Sequence, residues 1–224
     1  MMRLNVAIDG PVSAGKSSVS DAVAKRLGIL HLDTGAMYRA LGLAATRAGI
    51  DTGNEKEVVE FCRNLRVAVS HEEDGQHTFL EDEDVTGLIR TPEVSMAAST
   101  VSKYAEVRKQ MVRIQQQLAA ETDMLVDGRD ICTTVLPHAT AKIYLTAAQE
   151  ERARRRYAEM KEKGQEEPFE KVLEDLKARD EQDMNREVEP LRQAPDAELV
   201  DSTHLSFDET VEAIVRIVEA KRNG

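Results

Sequence analysis

Gly10-Pro11-Val12-Ser13-Ala14-Gly15-Lys16-Ser17 decides how the chain is read. It fits G-x-x-x-x-G-K-[ST], a phosphate-binding loop. Glycine at both ends is expected to let the backbone wrap an anion where a Cβ would intrude. The loop amides and the N-terminus of the next helix would then face phosphate. Lys16 would supply a mobile positive charge for the β- and γ-phosphates, and Ser17 a hydroxyl for a metal ion. The flanks suit the motif. Leu4-Asn5-Val6-Ala7-Ile8 reads as a buried strand, and Val19, Ala22, Val23 and Leu27 recur at helical spacing until Gly28.

Further along, Ile29-Leu30-His31-Leu32 reads as a second strand running into Asp33-Thr34-Gly35-Ala36-Met37-Tyr38-Arg39. A strand, polar loop and helix in that order is where α/β proteins place binding residues. A helix is expected from about Glu55 to Asn64. Leu65–Val69 and His77–Leu80 read as strands joined across Glu72-Glu73-Asp74-Gly75, a hairpin signal. Thr91-Pro92 starts a helix, with Thr as cap and Pro at the first helical position. A longer helix is expected from Tyr104 to Ala120. Met124-Leu125-Val126-Asp127 is an apolar strand ending in acid, and Asp127 could polarise a metal-bound water. Ala141–Leu145 and Glu198–Asp201 complete five core strands, and Ser206-Phe207-Asp208-Glu209 is a capping box for a final helix. Between the last two strands lies a charged tract rich in arginine. Its break at Lys163-Gly164-Gln165-Glu166-Glu167-Pro168 suggests two helices joined as a lid.

Composition narrows the partners. The net charge is −11 and aromatic residues are 4% with no Trp, which argues against a nucleic-acid or acidic-membrane partner. No apolar run is long enough to span a membrane. Met1-Met2-Arg3 leads straight into the first strand, leaving no room for a signal peptide, and a cytoplasmic monomer is expected. Cys62 and Cys132 are expected to be reduced thiols, in the core or near the surface, and the five histidines show no metal-ligand spacing.

Five blocks taken in order carry a resemblance: GPVSAGKSS (10–18), LDTGAMYRAL (32–41), TPEVSMAAS (91–99), DGRDICTTVLPHA (127–139) and RDEQDMNR (179–186). Their content and spacing resemble those of bacterial cytidylate kinases, from about residue 4 to the end. The resemblance implies an α/β P-loop kinase fold, a five-stranded parallel sheet flanked by helices. The implied core is residues 1–32, 121–147 and 187–224. An acceptor-binding domain with an insert would cover 33–120, and the lid with its adjoining helices 148–186. It implies transfer of the γ-phosphoryl of ATP to CMP or dCMP, with Mg²⁺.

Matched motif to motif, Gly10, Pro11, Val12, Ser13, Ala14, Gly15, Lys16, Ser17 and Ser18 would hold ATP. Thr34, Tyr38 and Arg39 would line the acceptor site, Arg39 on its phosphate. Ser99, Arg108 and Asp130 would face cytosine. Arg129, Arg179 and Arg186 would clamp phosphates, Asp183 would bind ribose, and Arg156 would close from the lid. Asp33 falls in the acid position near metal and phosphates. Either Ser17 or Ser18 could reach Mg²⁺, and the general motif favours Ser17. The rival readings are another P-loop small-metabolite kinase, of UMP/AMP or shikimate type, and a nucleotide-binding switch. The DTGAMYR block and the insert weigh against the first, and the lack of an N-K-x-D block against the second.

Overall fold

The computed structural model describes residues 3–162 and 164–223. Met1, Met2, Lys163 and Gly224 lie outside the described residues, and with them the first two residues of the chain and the first of the expected hinge.

β1 (Asn5–Asp9) leads through the loop into α1 (Lys16–Leu27), then β2 (Leu30–Asp33) and α2 (Thr34–Arg47). Next come α3 (Glu55–Cys62), β3 (Val67–Glu72), β4 (Gly75–Leu80), β5 (Glu83–Asp84), α4 (Pro92–Val101) and α5 (Ala105–Glu121). The chain returns in β6 (Met124–Gly128), a π-helical turn (Ile131–Val135) and β7 (Ala141–Thr146). α6 (Gln149–Glu162), α7 (Phe169–Asn185), β8 (Glu198–Asp201) and α8 (Phe207–Asn223) complete it.

Five strands form one sheet in the order β2-β6-β1-β7-β8, every pair parallel. Helices must therefore cross over its faces. Alternation along β1 shows both faces buried. Val6 and Ile8 pack with Val19, Val23, Ile214 and Val218 of α1 and α8, while Ala7 packs with Met37, Leu41 and Met111 of α2 and α5. β1 is central, with β6 on one side and β7 on the other, so the chain's direction of travel reverses across it. Clefts in open α/β sheets form beyond the strand ends at such a point, and the Gly10–Ser18 loop leaves β1 there.

Between α3 and α4, β3, β4 and β5 form a separate antiparallel sheet. The strands are longer toward the turn than expected, pairing Glu72 with Gly75 across a two-residue bend. α3 ends at Cys62 rather than Asn64, because Leu65 N–H turns back to the Cys62 carbonyl. The Ser206–Glu209 capping box forms in both directions: Glu209 Oε2 accepts from Ser206 N–H at 2.8 Å, and Ser206 Oγ from Glu209 N–H at 3.2 Å. Both cysteines are buried and unbridged.

Candidate active site

The loop after β1 is held in a shape that few residues adopt. Gly15 has φ 85° and Ser13, a residue with a side chain, has φ 58°. Such left-handed backbone costs energy outside glycine and persists where the surroundings enforce it. The first glycine meets a constraint beyond the expected one. A Cβ on Gly10 would lie 2.0 Å from the Leu145 carbonyl oxygen. The close approach of β7 is by itself enough to exclude a side chain there. Gly15 also stands at the N-cap of α1 and offers no side-chain acceptor, whereas Asp33, Asn54 and Thr91 cap α2, α3 and α4. The opening amides of α1 are thus left for another acceptor.

Lys16 is buried and lies back across the loop, donating from Nζ to the Gly10 and Pro11 carbonyls at 2.9 Å each. Burial, aided by the charge of Arg129, pulls its ammonium down to about 7. Ser17 is partly buried and Ser18 exposed.

At the end of β2, Asp33 serves two partners. One carboxylate oxygen caps α2 through Ala36 N–H at 3.0 Å, and the other accepts from Arg39 at 2.8 Å. The carboxylate expected near metal and phosphate is thereby committed to fixing Arg39. Thr34 is buried and donates to the Asp127 carbonyl at 2.7 Å, tying the start of α2 to β6. Asp127 pairs through one carboxylate oxygen with His31 Nε2 at 2.8 Å. Burial opposes charge on His31, but Asp127 outweighs it and raises the imidazole above its usual range.

The remaining predicted residues converge. Arg108 of α5 pairs with Asp130 and stands 5.6 Å from the Tyr38 ring centroid. Arg186 Nη2 lies 3.5 Å from the same carboxylate. Arg129 donates to Asp183 at 2.8 Å. Ser99 accepts from Gln182 at 2.6 Å, linking α4 to α7. Burial first, then the charge of Arg129, depresses the Arg179 guanidinium, with Arg39 and Arg156 adding to the repulsion. Four arginines from separate segments therefore press on one another's charge. Arg156 pairs with Glu159 one turn along its own helix at 3.0 Å.

This cluster is unsatisfied in a specific way. Arg39 Nε, Arg108 Nε, Arg179 Nε, Arg186 Nη2 and the Tyr38 hydroxyl are buried without a hydrogen-bond partner. Each such group costs about 1–3 kcal/mol if left so. Burial, together with nearby Asp130, also pushes the Tyr38 phenol up to about 12, so it stays a neutral donor.

A family model described as Cytidylate kinase matches residues 6–220. The chain belongs to the cytidylate kinase family. The Cytidylate kinase of Caldicellulosiruptor bescii is 47% identical over 217 residues, covering 97% of this chain and 96% of that protein. That of Enterococcus faecalis is 44% identical, covering 99% and 98%. A crystal structure of an uncharacterized protein from Eubacterium ventriosum has a TM-score of 0.53 at 9% identity, covering 97% of this chain and 99% of that one, a likeness of fold alone.

Three buried pairings around this cluster escape a sequence reading. Asp9 is fully buried, and its two oxygens accept from Ile131 and Cys132 N–H at 2.8 Å each. It thereby holds the π-helical turn that follows Arg129 and Asp130. Burial raises its carboxyl to about 6 despite these bonds. His31 is the second, and no motif marks it. The third is Arg152, which sits among the arginines of α6 but behaves unlike them. It is buried against Asp180, with bonds of 3.1 and 2.7 Å, and also donates to the Val12 carbonyl of the phosphate loop at 2.9 Å. Helical spacing could have placed it on an inward face, but its partner lies a whole helix away. Arg152→Ala would strand Asp180 as an unpaired buried charge, a loss of about 3–5 kcal/mol. A melting curve should fall by roughly 6–20 °C. An unchanged melting temperature would show that the pair does not brace the loop.

Proposed function

We propose that the cleft carries out phosphoryl transfer from ATP to CMP or dCMP with the residues just described, giving ADP and CDP or dCDP. The observation that carries this reading is the set of buried guanidinium nitrogens, with the Tyr38 hydroxyl, that lack a hydrogen-bond partner. Two anionic substrates repel each other unless cations stand between them. Arginine suits the task because its planar fork matches phosphate oxygens.

In this reading the 10–18 loop and Lys16 hold the donor phosphates. Arg39, released in part from Asp33, takes the acceptor phosphate, with Arg129, Arg179 and Arg186 offsetting the charge of the transferring group. Tyr38, Ser99, Arg108 and Asp130 surround the base, and Asp183 meets the ribose. Residues 33–120 would act as the acceptor domain, 148–186 as the lid bringing Arg156 inward, and the rest as core. Little covalent chemistry is asked of the protein; alignment and charge stabilisation do the work.

Mg²⁺ fits the residues present. Among the described residues no group of three or more His, Cys, Asp or Glu could hold a metal by itself, so phosphate oxygens would supply most ligands. Ser17, at the first turn of α1 and less exposed than Ser18, is the better protein ligand. The ion would neutralise phosphate charge. The kinase is expected to act as a monomer in the cytoplasm. That it has no nucleic-acid partner rests on its net charge of −11. Among the described residues no helix is long and apolar enough to cross a membrane.

The depressed Lys16 ammonium gives a direct test of donor binding. With a value of about 7, most of the ligand-free protein carries neutral Lys16 at pH 8. Phosphate favours the charged form, so ATP binding at pH 8 should take up close to one proton. Its affinity should weaken by up to about tenfold per pH unit above 7. Calorimetry in buffers of different ionisation enthalpy reads the uptake, and a buffer-independent heat would contradict it. For the function itself, ADP release should follow CMP and dCMP, not shikimate. Turnover of shikimate, or hydrolysis without an acceptor, would overturn it.

A further inference from the structure

β2 is the edge strand of the parallel sheet, with β6 on one side and, among the described residues, no strand on the other. Backbone groups on such an edge need partners. Here they come from side chains of the small antiparallel sheet. Gln76 Oε1 accepts from Asp33 N–H at 2.8 Å, and Gln76 Nε2 approaches the Asp33 carbonyl at 3.3 Å. His71 Nε2 lies 2.6 Å from the His31 carbonyl, so it is the protonated nitrogen of that ring. Residues 31 and 33 share one edge of the strand. His71 and Gln76 are directly opposed across β3 and β4. One rung of the hairpin therefore clasps the last two outward-facing positions of β2.

The clasp is itself braced. Gln76 Nε2 also donates to Thr78 Oγ1 at 3.2 Å. Thr78 is buried, and its N–H is held by Thr86 Oγ1 at 2.8 Å. Asp33, in turn, is both the cap of α2 and the anchor of Arg39. The chain of contacts runs from the insert through the backbone of one residue to the arginine assigned to the acceptor phosphate.

We propose that Gln76, with His71, is a positioning residue for the acceptor site, setting the place of Arg39 through the backbone of Asp33. Neither side chain touches substrate. The proposal rests on the acceptor role given to Arg39 above, and it assigns the insert a part in acceptor affinity that the phosphate loop does not share. Gln76→Leu keeps the bulk and removes both polar atoms. Its KM for CMP should rise about tenfold, from misplacement of the phosphate-binding arginine, while KM for ATP stays within about twofold. The Asp33 amide should lose hydrogen-exchange protection. Should Gln76→Leu fail to fold, His71→Ala, which spares the Thr78 brace, is read in the same way with a smaller change in KM.

An unaltered KM for CMP in a folded variant, or an equal rise in both KM values, would overturn the proposal. A lowered melting temperature with unchanged KM would mark the rung as structural only. If the parent protein does not turn over CMP, the functional reading falls first. Exchange at Asp33 then still decides whether the clasp exists, and unchanged protection in Gln76→Leu removes it.

Discussion

Lys16→Ala should lower kcat on the order of 10³-fold or more while the chain keeps its fold. The side chain is buried between the Gly10 and Pro11 carbonyls, but its bonds go only to loop oxygens. Removing it leaves no buried charge behind. The loop's shape depends instead on the packing of Gly10 against β7, on Gly15, and on the Arg152 bond to Val12. A circular-dichroism melt should therefore move little. The loss should fall mostly on kcat, because the charge matters most as negative charge builds between donor and acceptor. A kcat within tenfold of the parent would remove Lys16 from the mechanism. A collapsed melt would show that the lysine is part of the fold.

The second large effect is base selection at Asp130. Cytosine presents an amino donor where uracil presents a carbonyl, and a carboxylate accepts from the first and repels the second. The structure alters which variant tests this. Asp130 is buried between Arg108 and Arg186. Asp130→Ala would leave two buried guanidiniums short of a counter-charge, at about 3–5 kcal/mol of stability. Stability and selectivity would then fall together. Asp130→Asn also removes the charge but keeps the shape and one acceptor for the two guanidiniums, so stability should fall less, and it offers an amide donor that uracil can use. The preference for CMP over UMP in kcat/KM should drop by about 10²-fold, with UMP turnover falling least. An equal loss for both bases would move selectivity to other residues, Ser99 and Arg108 first.

The phosphate loop, the alternation of apolar strands with amphipathic helices, the hairpin and the caps are all local signals. They were legible because each depends on residues a few positions apart. Glycine, lysine and hydroxyl at fixed offsets define the loop wherever it occurs. Thr91-Pro92 and Ser206–Glu209 cap helices by contacts three residues long. The candidate arginines could be read as well, since they lie within short blocks. Their meeting in one cleft could not, because Arg39, Arg108, Arg129 and Arg179 come from four segments of the chain.

Pairing across the fold was decided only by tertiary structure. Which acid Arg152 would find, that Asp9 would hold a turn 122 residues away, and that Asp127 would pair with His31 are long-range outcomes. The reason Gly10 must be glycine also became visible only with β7 beside it. Local sequence set the helix and strand periods and the helix caps, since sterics and hydrogen bonding act over one or two turns. Strand order set the charge balance of the site, since ion pairs depend on distance in space and on burial.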